Sequence, residues 1–126
     1  MDSKSTYQLG LLHLVRLLIS ADGVIDEKER KALMRIKESE QIPDDLFNNF
    51  ESTISTKKER EIYEQGIKLI NECPDEEKLK AFVHLYKLSE VDGSVHVKEV
   101  RLLLYSIKMA GIEFDDVVRL AAKTSQ

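Results

Sequence analysis

Asp22-Gly23-Val24-Ile25-Asp26-Glu27-Lys28-Glu29 returns seventy residues later as Asp92-Gly93-Ser94-Val95-His96-Val97-Lys98-Glu99. Both copies read D-G-x-[I/V]-x-x-x-E, and each stands between two apolar helical runs. Carboxylates repeated in this way can hold a cation, or they can close helix ends. If internal symmetry brings the two corners together, Asp22, Glu29, Asp92 and Glu99 converge. Four close carboxylates repel one another, and their pKa values rise unless a cation neutralises them. Donors that are all oxygen favour a hard ion, Ca²⁺, Mg²⁺ or Mn²⁺. These four residues are the candidate metal ligands.

The structural alternative uses the same atoms. Asp22 and Asp92 can accept hydrogen bonds from backbone amides across the turn. Glu29 stands three residues after Asp26, a capping-box spacing, and complements the positive end of a helix dipole. Each such contact contributes about 0.5–2 kcal/mol. This account covers the first corner in full. It covers the second less well, because His96 cannot form the same box with Glu99.

The corner also matches the second half of an EF-hand loop, with Gly at the sharp turn and Glu at the last position. The first half does not fit. Leu18 or Leu88 would stand at the first ligand position, and Ser20 or Glu90 at the third. Calcium takes about six to eight oxygens, which one such corner cannot supply.

Other chemistry is sparsely represented. Cys73 is the one cysteine, so there is neither an internal disulfide nor a multi-thiolate zinc site. It precedes Pro74, has no histidine near it in sequence, and reads as a partly buried structural thiol. His13 and Arg16 share a face of the first helix and read as a polar seam inside the fold. His84, between Lys80 and Lys87, reads as solvated. His96 is the histidine placed to ligate or to sense pH, against the plainer reading of a helix-start residue. There is no phosphate-binding glycine loop and no H-E-x-x-H pair, and no second catalytic group accompanies the carboxylates. The reading is non-enzymatic.

The elements that must position the corners are helices. Two prolines, five glycines and little two-residue alternation leave helix as the default. The first helix is expected from Ser3 or Ser5 to about Ala21. Its apolar residues cover most of its circumference, which makes it central. A second runs from Asp26 to about Glu40, and a short segment follows Pro43 with Leu46, Phe47 and Phe50 as anchors. Residues 52–56 read as a flexible polar joint. Ser55 or Thr56 then caps a helix from about Lys57 to Glu72, with Ile62, Ile67, Leu69 and Ile70 inward. After Pro74 a second central helix is expected to about Val91, then helices from Val97 to Ala110 and from Phe114 to Lys123.

The offset of seventy also pairs Leu18 with Leu88, Leu33 with Leu103 and Ile42 with Ile112. The expectation is an all-α, compact helical domain of about seven helices, 1–126, with two pseudo-symmetric helix–acidic turn–helix halves at about 13–51 and 83–121.

Composition bounds the partners. Charged residues make up 33% and the formal net charge is -4, with basic residues interleaved among acidic ones, so no nucleic-acid surface is indicated. The first apolar run is interrupted by His13 and Arg16 and is too short to span a bilayer. The segment before it lacks the basic cluster of a secretory signal. A soluble cytoplasmic protein without a transmembrane segment is expected.

Ala21-Asp22-Gly23-Val24-Ile25-Asp26-Glu27-Lys28-Glu29, the helical frame and the second D-G-x-V-x-x-x-E together resemble the TerB-like (tellurite resistance protein B) domain. A related domain occurs in membrane-anchored DnaJ-type co-chaperones. The resemblance implies a pseudo-symmetric helical fold and an acidic surface proposed to bind divalent metal. It also implies a role in resistance to tellurite and other stresses through protein complexes near the inner membrane. The family's acidic positions fall on Asp22, Glu29, Asp92 and Glu99, whereas His96 and Val97 stand where acids would be expected. The reading is therefore a cation-binding, protein-interaction module. Its rival is a purely structural helical adaptor whose acidic turns are caps.

Overall fold

The computed structural model describes residues 3–19, 27–89 and 97–123. Among these are seven α-helices and no strand: α1 (Ser3–Ile19), α2 (Glu27–Ser39), α3 (Asp44–Ile54), α4 (Glu59–Asn71), α5 (Asp75–Ser89), α6 (Val97–Met109) and α7 (Phe114–Lys123). The architecture is all-α with two related halves. Helices α2 and α6 begin and end at the same offset of seventy, and α3 and α7 begin at it.

The turns after α2 and α6 are closed in the same way. The amide of Ile42 donates to Lys37 O and that of Gln41 to Glu38 O. In the second half Ile112 donates to Ile107 O and Gly111 to Lys108 O. This is the Schellman pattern, which needs a left-handed residue just past the helix. Gln41 takes φ 54° and Gly111 takes φ 74°. A third correspondence crosses between helices. Gln8 of α1 donates to Glu40 O at 2.9 Å, and Lys78 of α5, seventy residues later, donates to Ala110 O at 3.3 Å.

The core is built on α1 and α5, which pack on each other. Leu11, Leu12, Leu14, Val15, Leu17 and Leu18 of α1 are all buried, as its apolar circumference requires, and Ala81, Phe82, Val83, Leu85 and Leu88 of α5 meet them. The halves interlock, because α1 also touches α6 and α5 touches α2. α4 lies along α1 at very close range. A Cβ at Gly66 would stand 2.9 Å from His13 Cβ, and one at Gly10 would stand 2.9 Å from Ile70 Cγ1 and 3.1 Å from Ile70 N. Glycine inside a helix costs about 1 kcal/mol relative to alanine, and here the close approach of the two backbones offsets it.

Two expectations about the connector fail. Residues 52–54 are not a joint, because α3 continues to Ile54. Phe50 and Ile54 lie four residues apart on one face, and both are buried in the core, so helical packing overrides the polar composition. The hydroxyls of Ser52, Ser55 and Thr56 bond back to carbonyls three residues earlier. Neither Ser55 nor Thr56 caps α4, which starts after Lys58, whose amide donates to Glu61 Oε1 at 3.3 Å. None of the described helices is long and apolar enough to cross a membrane.

Candidate functional site

The two acidic corners are the intervals between α1 and α2 and between α5 and α6. Asp22, Asp92 and His96 lie outside the described residues, as does the proposed Asp26 cap. Glu29 and Glu99 each occupy the third position of their helix, α2 and α6, and their side chains too lie outside the described residues. Among the described residues no group of three or more His, Cys, Asp or Glu could hold a metal ion.

Among the described residues, the most developed polar centre is at the other end of α2. Glu40, one residue past the helix, is buried with its side chain 6% exposed. Tyr7 Oη of α1 donates to its Oε2 at 2.8 Å. His84 Nε2 of α5 lies 2.7 Å from the same oxygen, and Lys80 Nζ lies 3.2 Å from Oε1. Gln8 holds the Glu40 and Gln41 carbonyls at 2.9 and 3.3 Å. Burial by itself would push the Glu40 carboxyl up. The hydrogen bonds from His84 and Tyr7, the His84 charge and the Lys80 hydrogen bond outweigh it and hold the pKa down at about 2. Burial, then the Glu40 charge, pushes the Tyr7 phenol up, so Tyr7 stays a donor. His84 is therefore not a solvated surface residue. Its neighbours Lys80 and Lys87 suggested a wet face, but α2 packs on α5 and brings an acid to the imidazole.

Sequence reasoning missed Glu40, because its partners stand 32 to 44 residues away. A signal was present. The offset of seventy sets Glu40 against Ala110 and His84 against Leu14, so a charged or polar residue occupies a position that is apolar in the other copy. Ala110 and Leu14 are both buried.

Beside this centre a cavity of about 460 Å³ opens between α2, α5 and α7. Arg35, Lys80, His84 and Lys87 stand on its wall.

The remaining candidates are structural. His13 is buried, its Nδ1 donates to Leu9 O at 2.7 Å, and its ring meets Phe50 edge-on at 5.0 Å. Burial pushes its pKa down. Arg16 reaches Glu51 at 3.5 Å. His13 is thus internal, whereas Arg16 is only part-buried, its side chain 29% exposed beside Glu51. Cys73 is buried, its thiol faces Leu69 O at 3.5 Å, and burial pushes its pKa up, which suits an inert thiol.

Two interlocked copies of a helix–corner–helix–helix unit, with a bonded acid buried where they meet, define a small helical module of internal-repeat type. The chain belongs to the TerB family, described as tellurite resistance protein TerB, whose family model matches residues 8–122, nearly its whole length. A search of curated proteins found no match, and neither did a search of solved structures.

Proposed function

We propose that this TerB domain is a non-enzymatic module that takes up a divalent cation at its acidic corners and docks onto a partner protein in the response to tellurite or related stress. The observation that carries the reading is the placement of α6. This helix starts at the second corner, with Glu99 in its first turn, and it carries the exposed apolar residues Leu104, Tyr105 and Met109. Tyr105 lies 5.7 Å from Tyr63 of α4, and Arg101 and Lys108 flank the strip. An ion that neutralises Asp22, Glu29, Asp92 and Glu99 would steady the start of α6 and hence the presentation of that strip. The donors are all oxygen, which suits Ca²⁺, Mg²⁺ or Mn²⁺. Exposed apolar strips of this kind mark interaction surfaces. Chemical reduction of tellurite would call for reactive thiols or a redox cofactor, and the one thiol here is buried. A cytoplasmic protein recruited to complexes at the inner membrane is the setting this reading implies.

Calorimetric titration of the metal-stripped protein with Ca²⁺, Mg²⁺, Mn²⁺ and Zn²⁺, beside Asp22→Asn and Asp92→Asn, tests the proposal. Saturable binding that either substitution abolishes is expected. If both variants lose stability equally with and without cation, the corners are helix caps and the adaptor reading replaces this one.

A further inference from the structure

The outer face of α6 has a pattern that the fold does not require. Arg101, Leu104, Tyr105 and Lys108 follow one another at helical spacing and share that face, and Met109 extends it by one turn from Tyr105. Leu104 is 44% exposed, Tyr105 55% and Met109 50%, while Ser106, Ile107 and Ala110 supply the buried side of the helix. The offset of seventy sets Tyr105 against Arg35, Lys108 against Glu38 and Met109 against Ser39. The first copy thus builds the same helix with a polar outer face, so the apolar strip on α6 is not a condition of folding. Tyr63 of α4 stands 5.7 Å from Tyr105 and widens the strip beyond one helix.

The charges bracket the strip. Arg101 and Lys108 are exposed at either end of the Leu104–Tyr105 pair. No acidic residue stands three or four positions from either of them along α6. On α4, Glu64, the neighbour of Tyr63, is paired with Arg60 at 3.8 Å. The two cations are seven residues apart, about 10 Å along the helix axis. A partner helix repeats a face at the same interval, with carboxylates seven residues apart and apolar residues between them, as flanking charges do in two-helix seams. A strand repeats its face about every 6.7 Å, so its carboxylates would fall short of that separation or overshoot it.

We propose that this face receives an acidic amphipathic helix of a partner protein, its apolar side on Leu104, Tyr105 and Met109 and two of its carboxylates on Arg101 and Lys108. The proposal rests on the reading of α6 as the docking strip and adds the chemistry of the partner. A second copy of the chain fits less well, because a two-fold contact through this face sets basic residues against basic ones. An anionic lipid surface selects clusters of about four to eight basic residues, whereas this strip offers two in a chain of formal net charge -4.

The test is fluorescence anisotropy of two labelled, stapled model helices added to the intact chain, in EDTA and in Ca²⁺. One carries leucines along one side flanked by glutamates seven residues apart. The other has lysines in place of those glutamates. Both are repeated on Tyr105→Ala and on the double variant Arg101→Glu, Lys108→Glu, with far-UV circular dichroism checking that each variant folds. Saturable one-to-one binding of the acidic helix is expected, with the basic helix weaker by about tenfold or more. Tyr105→Ala should weaken the acidic helix by about tenfold, and the double variant should reverse the preference. Equal binding in EDTA and Ca²⁺ would support the acidic partner while removing the coupling to the corners. Equal binding of both helices would overturn the acidic partner and leave the strip as a docking face. The proposal also fails if the acidic helix does not saturate or if its preference survives charge reversal. Sedimentation showing a dimer that Tyr105→Ala dissolves would assign the face to a second copy instead. Flotation with phosphatidylglycerol vesicles that Tyr105→Ala abolishes would assign it to a membrane.

Discussion

Glu40 is a carboxylate that folding takes out of water, and each group that approaches it stabilises its charged form. Because its folded pKa, about 2, lies below the ordinary 4.5, its contribution is complete above the unfolded value and is lost as pH falls through 4.5 toward about 2. That difference corresponds to roughly 3 kcal/mol. Glu40→Gln is therefore expected to lower stability by about that amount at neutral pH, the gap closing across this acid window. Urea denaturation at several pH values checks it, and a gap that stays constant with pH would refute the assignment. Tyr7→Phe removes one donor and leaves His84 and Lys80, so a smaller loss of about 1–2 kcal/mol is expected. His13 acts in the same direction at higher pH. Its lowered pKa makes it neutral in the fold, so acid favours the unfolded chain once pH drops below 6.5.

At the scale of elements, two backbone features define the helix ends and crossings. The α1–α4 contact depends on Gly66, whose missing Cβ leaves room for His13 Cβ. Gly66→Ala gains helix propensity but forces that crossing apart, and a net loss of about 1–3 kcal/mol is expected in thermal or urea unfolding. At the turns, Gln41 holds the left-handed conformation that Gly111 adopts in the other half. Gln41→Gly should raise stability by about 0.5–1 kcal/mol, and Gly111→Ala should lower it by about 1–2 kcal/mol. If both changes shift the midpoint in the same direction, the turn account fails. The boundaries of α2, α6 and α7 were legible from the apolar periodicity and the offset of seventy. The length of α3 was not, because its polar residues 51–53 concealed the Phe50–Ile54 pair that keeps it helical.

For the whole molecule, the interlocking of the halves matters more than their likeness. α5 touches α1, α2, α6 and α7, and α1 touches α3, α4, α5 and α6, and the buried residues of both halves form one continuous cluster. The chain is expected to unfold in one transition, with far-UV circular dichroism and tyrosine fluorescence coincident in urea. Two separated transitions would mean that the halves fold independently. A fragment ending at Asn71 lacks α5 and should be unfolded, because Phe82 and Leu85, among the most buried side chains, are missing from it.

The sequence by itself determined the helical class, the repeat, the two corners and the family, since all of these rest on local periodicity and on short strings of neighbouring residues. Only the tertiary structure decided that Glu40, Tyr7, Lys80 and His84 form one centre and that a pocket opens beside it. The physical reason is range. Helix propensity and capping act over about four residues, whereas burial of a charge depends on which helices meet, and that emerges when the apolar faces of α1, α2 and α5 pack together.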